Sequence, residues 1–177
     1  MLLRRLGRWL RGLFCFSLPV KVSDSENLIR GIYYEVHLDD VGSLKWQAYD
    51  PTPGTDEVSV MRSARLSPNA CKRKAKSIER APRKLYRGLA ALSSGAIKTA
   101  GMAVVDSRHV DCGHADIKTG VVTQRRLPNV PRDPREVARV KKVAEKLIEL
   151  SQYYPDSRIE SAKWEGEGLL APLRKDI

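Results

Sequence analysis

Long apolar runs, cysteine, histidine and, across one stretch, acidic side chains are what this chain of 177 residues has least of. No segment approaches the roughly 20 consecutive apolar residues that a spanning helix needs, so the sequence excludes a helical membrane anchor. Cys15, Cys71 and Cys112 stand far apart. So odd and sparse a set does not resemble the disulfide framework of a small secreted domain, and the expected setting is a reducing, cytoplasmic one. Aromatic residues make up 6% of the chain, and Tyr86 alone falls in its most basic part, too few for a platform that stacks single-stranded bases. Walker loops, dinucleotide fingerprints, nucleophile elbows, HExxH and paired CxxC motifs are all absent from the sequence, which removes the enzyme classes that those patterns mark.

What is there suits one domain of ordinary size. With 42% hydrophobic residues, the chain can bury a core without metals or disulfides. The pattern divides it into a basic amphipathic segment over residues 1–20, a single α+β domain over 21–155 and an irregular tail over 156–177. In the first segment Leu3, Leu6, Leu10, Leu13 and Phe14 recur at helical spacing, with Arg4, Arg5, Arg8 and Arg11 largely opposite. Such a helix can dock on the domain or on a partner protein, serve as a targeting peptide, or lie on a membrane surface.

The central domain reads as a small mixed or antiparallel sheet packed by a basic central helix and a longer C-terminal helix. Ile32, Tyr34, Val36 and Leu38 alternate with polar neighbours, as do Leu44, Trp46 and Ala48, predicting a hairpin turned at residues 39–42. Val58 and Val60 mark a third strand. Ser67 followed by Pro68 predicts a helix start, with Cys71, Ala75 and Ile78 as its inward stripe. Residues 85–101 have no readable period, whereas 101–107 and 114–122 read as strands. Asp133, Pro134 and Glu136 form a capping box that opens a helix to about Gln152, with Val140, Ala144 and Leu147 facing inward.

The formal net charge of +11 is uneven. Residues 61–101 carry eleven basic side chains against the single Glu79, residues 21–60 are acidic, and residues 133–177 balance at nine of each sign. The basic segment supplies Arg62, Arg65, Lys72, Arg73, Lys74, Lys76, Arg80, Arg83, Lys84 and Arg87. Solvated faces normally mix both signs, so this array is expected to neutralise phosphates and to release their counterions. A second feature, DSRHVDCGHAD, packs His109, Cys112 and His114 among Asp106, Asp111 and Asp116. His109, Cys112 and His114 are suitable ligands for zinc or another divalent metal, and His109, His114 and Asp116 suit acid-base work on a phosphodiester. His37 with Asp39 offers a further, weaker imidazole.

The expectation is therefore a nucleic-acid-binding accessory subunit of a bacterial nucleoprotein or multi-protein assembly. It would grip phosphate through the basic segment and meet protein partners through its N-terminal helix and C-terminal tail. The alternative is a phosphodiester hydrolase or nuclease-like toxin built on the His/Cys/Asp cluster, with or without a metal.

Overall fold

The computed structural model describes residues 21–80, 84–107, 111–125, 130–166 and 169. The N-terminal segment, Arg83, His109 and the end of the tail lie outside them. A six-stranded antiparallel sheet organises the chain, in the order β4-β5-β2-β1-β3-β6. Its strands are β1 (Asn27–Tyr34), β2 (Glu57–Arg62), β3 (Leu85–Ser93), β4 (Ala103–Asp106), β5 (His114–Lys118) and β6 (Ser151–Pro155). Among the described residues three α-helices accompany them, α1 (Pro68–Ser77), α2 (Ser94–Thr99) and α3 (Pro134–Glu149), with a 3-10 helix at Trp46–Tyr49. The fold is thus mixed α+β. Among the described residues, no helix is long and apolar enough to cross a membrane.

Alternation along β1 sorts the core into two layers, because successive side chains of a strand point to opposite faces. Leu28 and Ile32 join Val58, Val60, Ala90, Leu92 and Ile117 on one face, where Ala144 and Leu147 of α3 and Ala48 and Tyr49 of the 3-10 helix pack. Ile29 and Tyr33 join Met61, Tyr86, Leu89 and Ala91 on the other, against Cys71 and Ala75 of α1 and Leu169 of the tail. Ile159 and Trp164 pack on that second cluster too. The central strands are therefore covered on both sides, and burial of this kind contributes roughly 25 cal/mol per Å² of apolar surface removed from water.

Local chemistry starts the helices where the sequence said. Ser67 Oγ accepts from the Ala70 amide at 3.3 Å, and Asp133 Oδ1 accepts from the Arg135 amide at 2.8 Å. The capping box closes differently: buried Glu136 does not reach back to its cap but meets Arg132 at 3.0 Å and accepts from the Gln124 amide. Residue 149 ends α3, and Ser151–Pro155 turns back as β6 beside β3. The expected hairpin is reduced to one bridge, Leu38 with Leu44. β1 stops at Tyr34, and residues 46–49 wind into the 3-10 helix that α3 covers.

Candidate functional site

The basic segment divides into cations the fold consumes and cations it presents. Arg62, 3% exposed, holds Glu26 through two hydrogen bonds of 3.0 and 2.8 Å and also binds Asp106. Lys72 is 0% exposed. Its ammonium meets Asp156 at 2.7 Å and donates to the carbonyls of Arg158 and Lys163 at 2.7 and 3.0 Å. Both are internal ion pairs and offer no charge to a ligand in solvent. The physical reason is that a buried ammonium or guanidinium must be paired and hydrogen-bonded. Lys76 similarly donates to the Ile159 carbonyl at 2.7 Å, which straps the tail across α1. Arg73 and Arg80 are exposed, and Arg65, Lys74, Lys84 and Arg87 are half-buried. Arg87 lies over the Tyr34 ring at 5.4 Å.

The His/Cys/Asp cluster meets this segment at Asp106, which binds Arg62, and at Asp111. Asp111 pairs with Lys74 at 3.1 Å. Gly113 then turns the chain into β5 with φ +81°, where a Cβ would come within 2.8 Å of Leu66, so glycine is required both for the conformation and for the fit. His114 and Asp116 follow on the same face of β5, with Nδ1 and Oδ2 3.8 Å apart. Asp116 is buried and accepts from Ser59 Oγ at 3.2 Å and from Ser107 Oγ. Cys112 is disulfide-bonded and so is not a free thiolate. Among the described residues, no group of three His, Cys, Asp or Glu side chains converges as a metal site. His37 lies apart on the loop after β1. It is buried against Tyr33, ring centroids 5.3 Å apart, and burial followed by the nearby Arg30, Lys84 and Lys45 charges lowers its pKa to about 3.

Between β1, β2 and α1 lies a cavity of about 330 Å³. It exists because β1 and β2 pair only at Leu28–Arg62 and Ile29–Met61 before diverging. Arg30 spans the gap, donating from Nε to the Ala48 carbonyl at 3.1 Å and from Nη1 to the Ser59 carbonyl at 2.5 Å. Ile29, Met61, Ala75 and Ile78 give the cavity apolar walls, while Arg30, Lys74, Lys84 and His114 give it polar ones. Lys84 sits with its ammonium 4.6 Å from the Tyr33 ring centroid, a cation–π contact.

Electrostatics set Arg30 and Lys84 apart from the other cations. Arg30 bonds two neutral carbonyls, and no described carboxylate lies within ion-pair distance of Arg30 or Lys84. Burial lowers the pKa of both. At Lys84 the Arg30 and Arg80 charges lower it further, while at Arg30 the neighbouring Tyr33 and Tyr49, and after them Asp116 and Asp50, oppose the effect only in part. Two positive charges thus line one half-enclosed space with no described carboxylate within ion-pair distance. An anion entering there would replace lost solvation with charge-assisted hydrogen bonds, which are the strong ones.

Arg30, Ser59 and Tyr33 escaped the reading of the sequence. The available signal was a lone arginine between Leu28 and Ile32, on the inward face of a strand. No family model, curated protein or solved structure matches the chain.

Proposed function

We propose that this chain is a nucleic-acid-binding protein that grips phosphates on the α1 side of the sheet and serves as an accessory subunit of a larger assembly. The observation that carries the reading is the pair of cations, Arg30 and Lys84, that line one pocket with no carboxylate among the described residues within ion-pair distance. Exposed Arg73 and Arg80, with half-buried Arg87, extend the positive surface of the same segment. Affinity is expected to fall steeply between 50 and 200 mM salt, the behaviour of phosphate contacts that release counterions. Fluorescence anisotropy with a labelled single-stranded and a duplex oligonucleotide, titrated at several salt concentrations, tests it. Wild-type binding that ignores salt, or binding unchanged in the combined variant Arg73→Glu, Arg80→Glu, Lys84→Glu, overturns it.

One observation favours the hydrolase as a second reading. His114, with Asp116 beside it, lines the same pocket as Arg30, so an imidazole for proton transfer and a guanidinium for developing charge share one space. Incubation of RNA and DNA with wild type and with His114→Ala, with and without added divalent metal, tests this directly. Cleavage that disappears in the variant supports hydrolysis, and no cleavage under any condition leaves the protein a binder.

A further inference from the structure

We propose, resting on the phosphate-binding reading above, that the pocket between β1, β2 and α1 seats a single phosphate monoester on a compact apolar or planar body, the chemistry of one nucleotide. Arg30 and Lys84 hold the phosphate, and the walls around Ile29, Met61 and Ile78 cover the body.

The case begins with charge. A carboxylate ligand brings one negative charge and is satisfied by one guanidinium. A phosphate monoester is close to a dianion at neutral pH and matches two cations that have no counter-charge among the described residues. Lys74 does not add a third, because Asp111 already neutralises it at 3.1 Å. Arg30 is also pre-oriented. Its bonds to the Ala48 and Ser59 carbonyls fix the plane of the guanidinium and involve Nε and Nη1, and among the described residues Nη2 has no acceptor. Fixing a donor before the ligand arrives reduces the ordering cost of binding.

The shape of the pocket supplies the rest. At about 330 Å³ it lies at the small end of sites that enclose organic ligands, too confined for a folded polymer segment and suited to one unit. Gly31 lets α1 approach β1 closely, since a Cβ there would lie 2.9 Å from the Ala75 Cβ and 2.7 Å from the Tyr33 hydroxyl. That closeness brings Ile78 to the pocket wall, where it remains 52% exposed. A large aliphatic side chain left half in water at the edge of a cationic pocket is the surface an apolar or planar ligand body would cover.

Such a phosphate has two sources, a free mononucleotide or the phosphorylated 5′ end of a strand. The test uses adenosine monophosphate, adenosine and inorganic phosphate in thermal-shift and calorimetric titrations, and one labelled oligonucleotide with either a 5′-phosphate or a 5′-hydroxyl. Wild type, Lys84→Gln, Ile78→Asp and Arg30→Lys are compared, with Arg139→Glu on α3 as the control. If Arg30→Lys fails to fold, Lys84→Gln still decides, because its side chain makes no ion pair or hydrogen bond among the described residues.

The expected result is that adenosine monophosphate binds about tenfold or more tighter than adenosine or inorganic phosphate, that Lys84→Gln loses about tenfold, and that Arg139→Glu changes nothing. A preference for the 5′-phosphorylated strand, lost in Lys84→Gln, identifies the strand end as the source; nucleotide binding without that preference identifies the free nucleotide. Neither nucleotide binding nor a 5′-phosphate preference, or nucleotide affinity unchanged in Lys84→Gln, overturns the pocket assignment. Salt-dependent oligonucleotide binding that survived such a result would leave the phosphate-backbone reading intact. Nucleotide binding without oligonucleotide affinity at low salt would do the reverse.

Discussion

Helices α1 and α3 lie on opposite faces of one sheet and handle their positive charge in opposite ways. Of the four cations in α1, Lys72 is sealed in an ion pair, Lys76 is tied to a tail carbonyl, Lys74 faces Asp111, and Arg73 alone is exposed. In α3, Arg135, Arg139, Lys141, Lys142 and Lys146 all point to solvent. Among the described residues only Lys141 there has an ion-pair partner, Glu145 at 3.6 Å. The segment with the greatest charge density by sequence thus presents less of it than the count suggests, and the balanced C-terminal segment presents more. The cause is coverage: α1 is sandwiched between the sheet and the tail, whereas α3 buries one stripe and leaves the rest in water.

The sharpest break of this comparison removes a consumed charge. Lys72→Met leaves Asp156 buried without its partner and cuts both bonds to the tail, so the unfolding free energy should drop by about 3–5 kcal/mol. Lys142→Ala on α3 should stay within about 0.5 kcal/mol. Urea unfolding midpoints of the two variants measure the contrast, and equal midpoints would show that Lys72 is not the internal staple described.

Binding sharpens the comparison from the other side. Reversing Arg73, Arg80 and Lys84 to Glu should weaken oligonucleotide affinity on the order of 100-fold and lower the slope of log affinity against log salt by about three. Reversing Arg139, Lys142 and Lys146 should do neither if the α1 side alone holds the strand. A larger effect from the second set would move the interface to α3, whose cations are more exposed.

These contrasts also show which parts of the molecule were legible in the sequence. Ser67 with Pro68 and Asp133 with Pro134 announced their helices because a cap is local chemistry between residues two or three apart. β3 gave no period because Gly88 through Leu92 are buried on both faces, and a central strand shows no alternation. Leu44, Trp46 and Ala48 alternate as a strand would, but Trp46 and Ala48 wind into a single 3-10 turn, a distinction too short for periodicity to make. The fate of Lys72 was invisible because its acceptors lie 86 and 91 residues away. Of the pocket, the sequence marked Lys74, Lys84 and His114. It did not join them to Arg30, since the opening between β1 and β2 is a property of the sheet.

The interior character of the charge on the α1 side can be read through His37. Its folded pKa of about 3 lies below the ordinary 6.5, so between those values the unfolded chain binds a proton that the folded one does not. Stability is therefore full above about pH 6.5 and declines as pH falls toward 3, by about 2 kcal/mol at pH 5. His37→Leu should flatten that part of the pH profile of urea unfolding, and an unchanged profile would remove the buried imidazole as its cause.

The smallest expected effect belongs to the solvent side and completes the contrast. Lys141 and Glu145 are four residues apart on α3, each about half exposed. An exposed helix pair of that spacing is worth about 0.3–0.5 kcal/mol and is screened by salt. A double-mutant cycle with Lys141→Ala and Glu145→Ala should find a coupling of that size at low ionic strength, fading toward zero as salt is added, since both charges sit in water. The same salt series applied to Lys72→Met should leave its loss nearly intact, because the pair it breaks is sealed from counterions. If both losses faded alike, Lys72 and Asp156 would have to be reached by solvent, and the division into consumed and presented charge would fail at its clearest member.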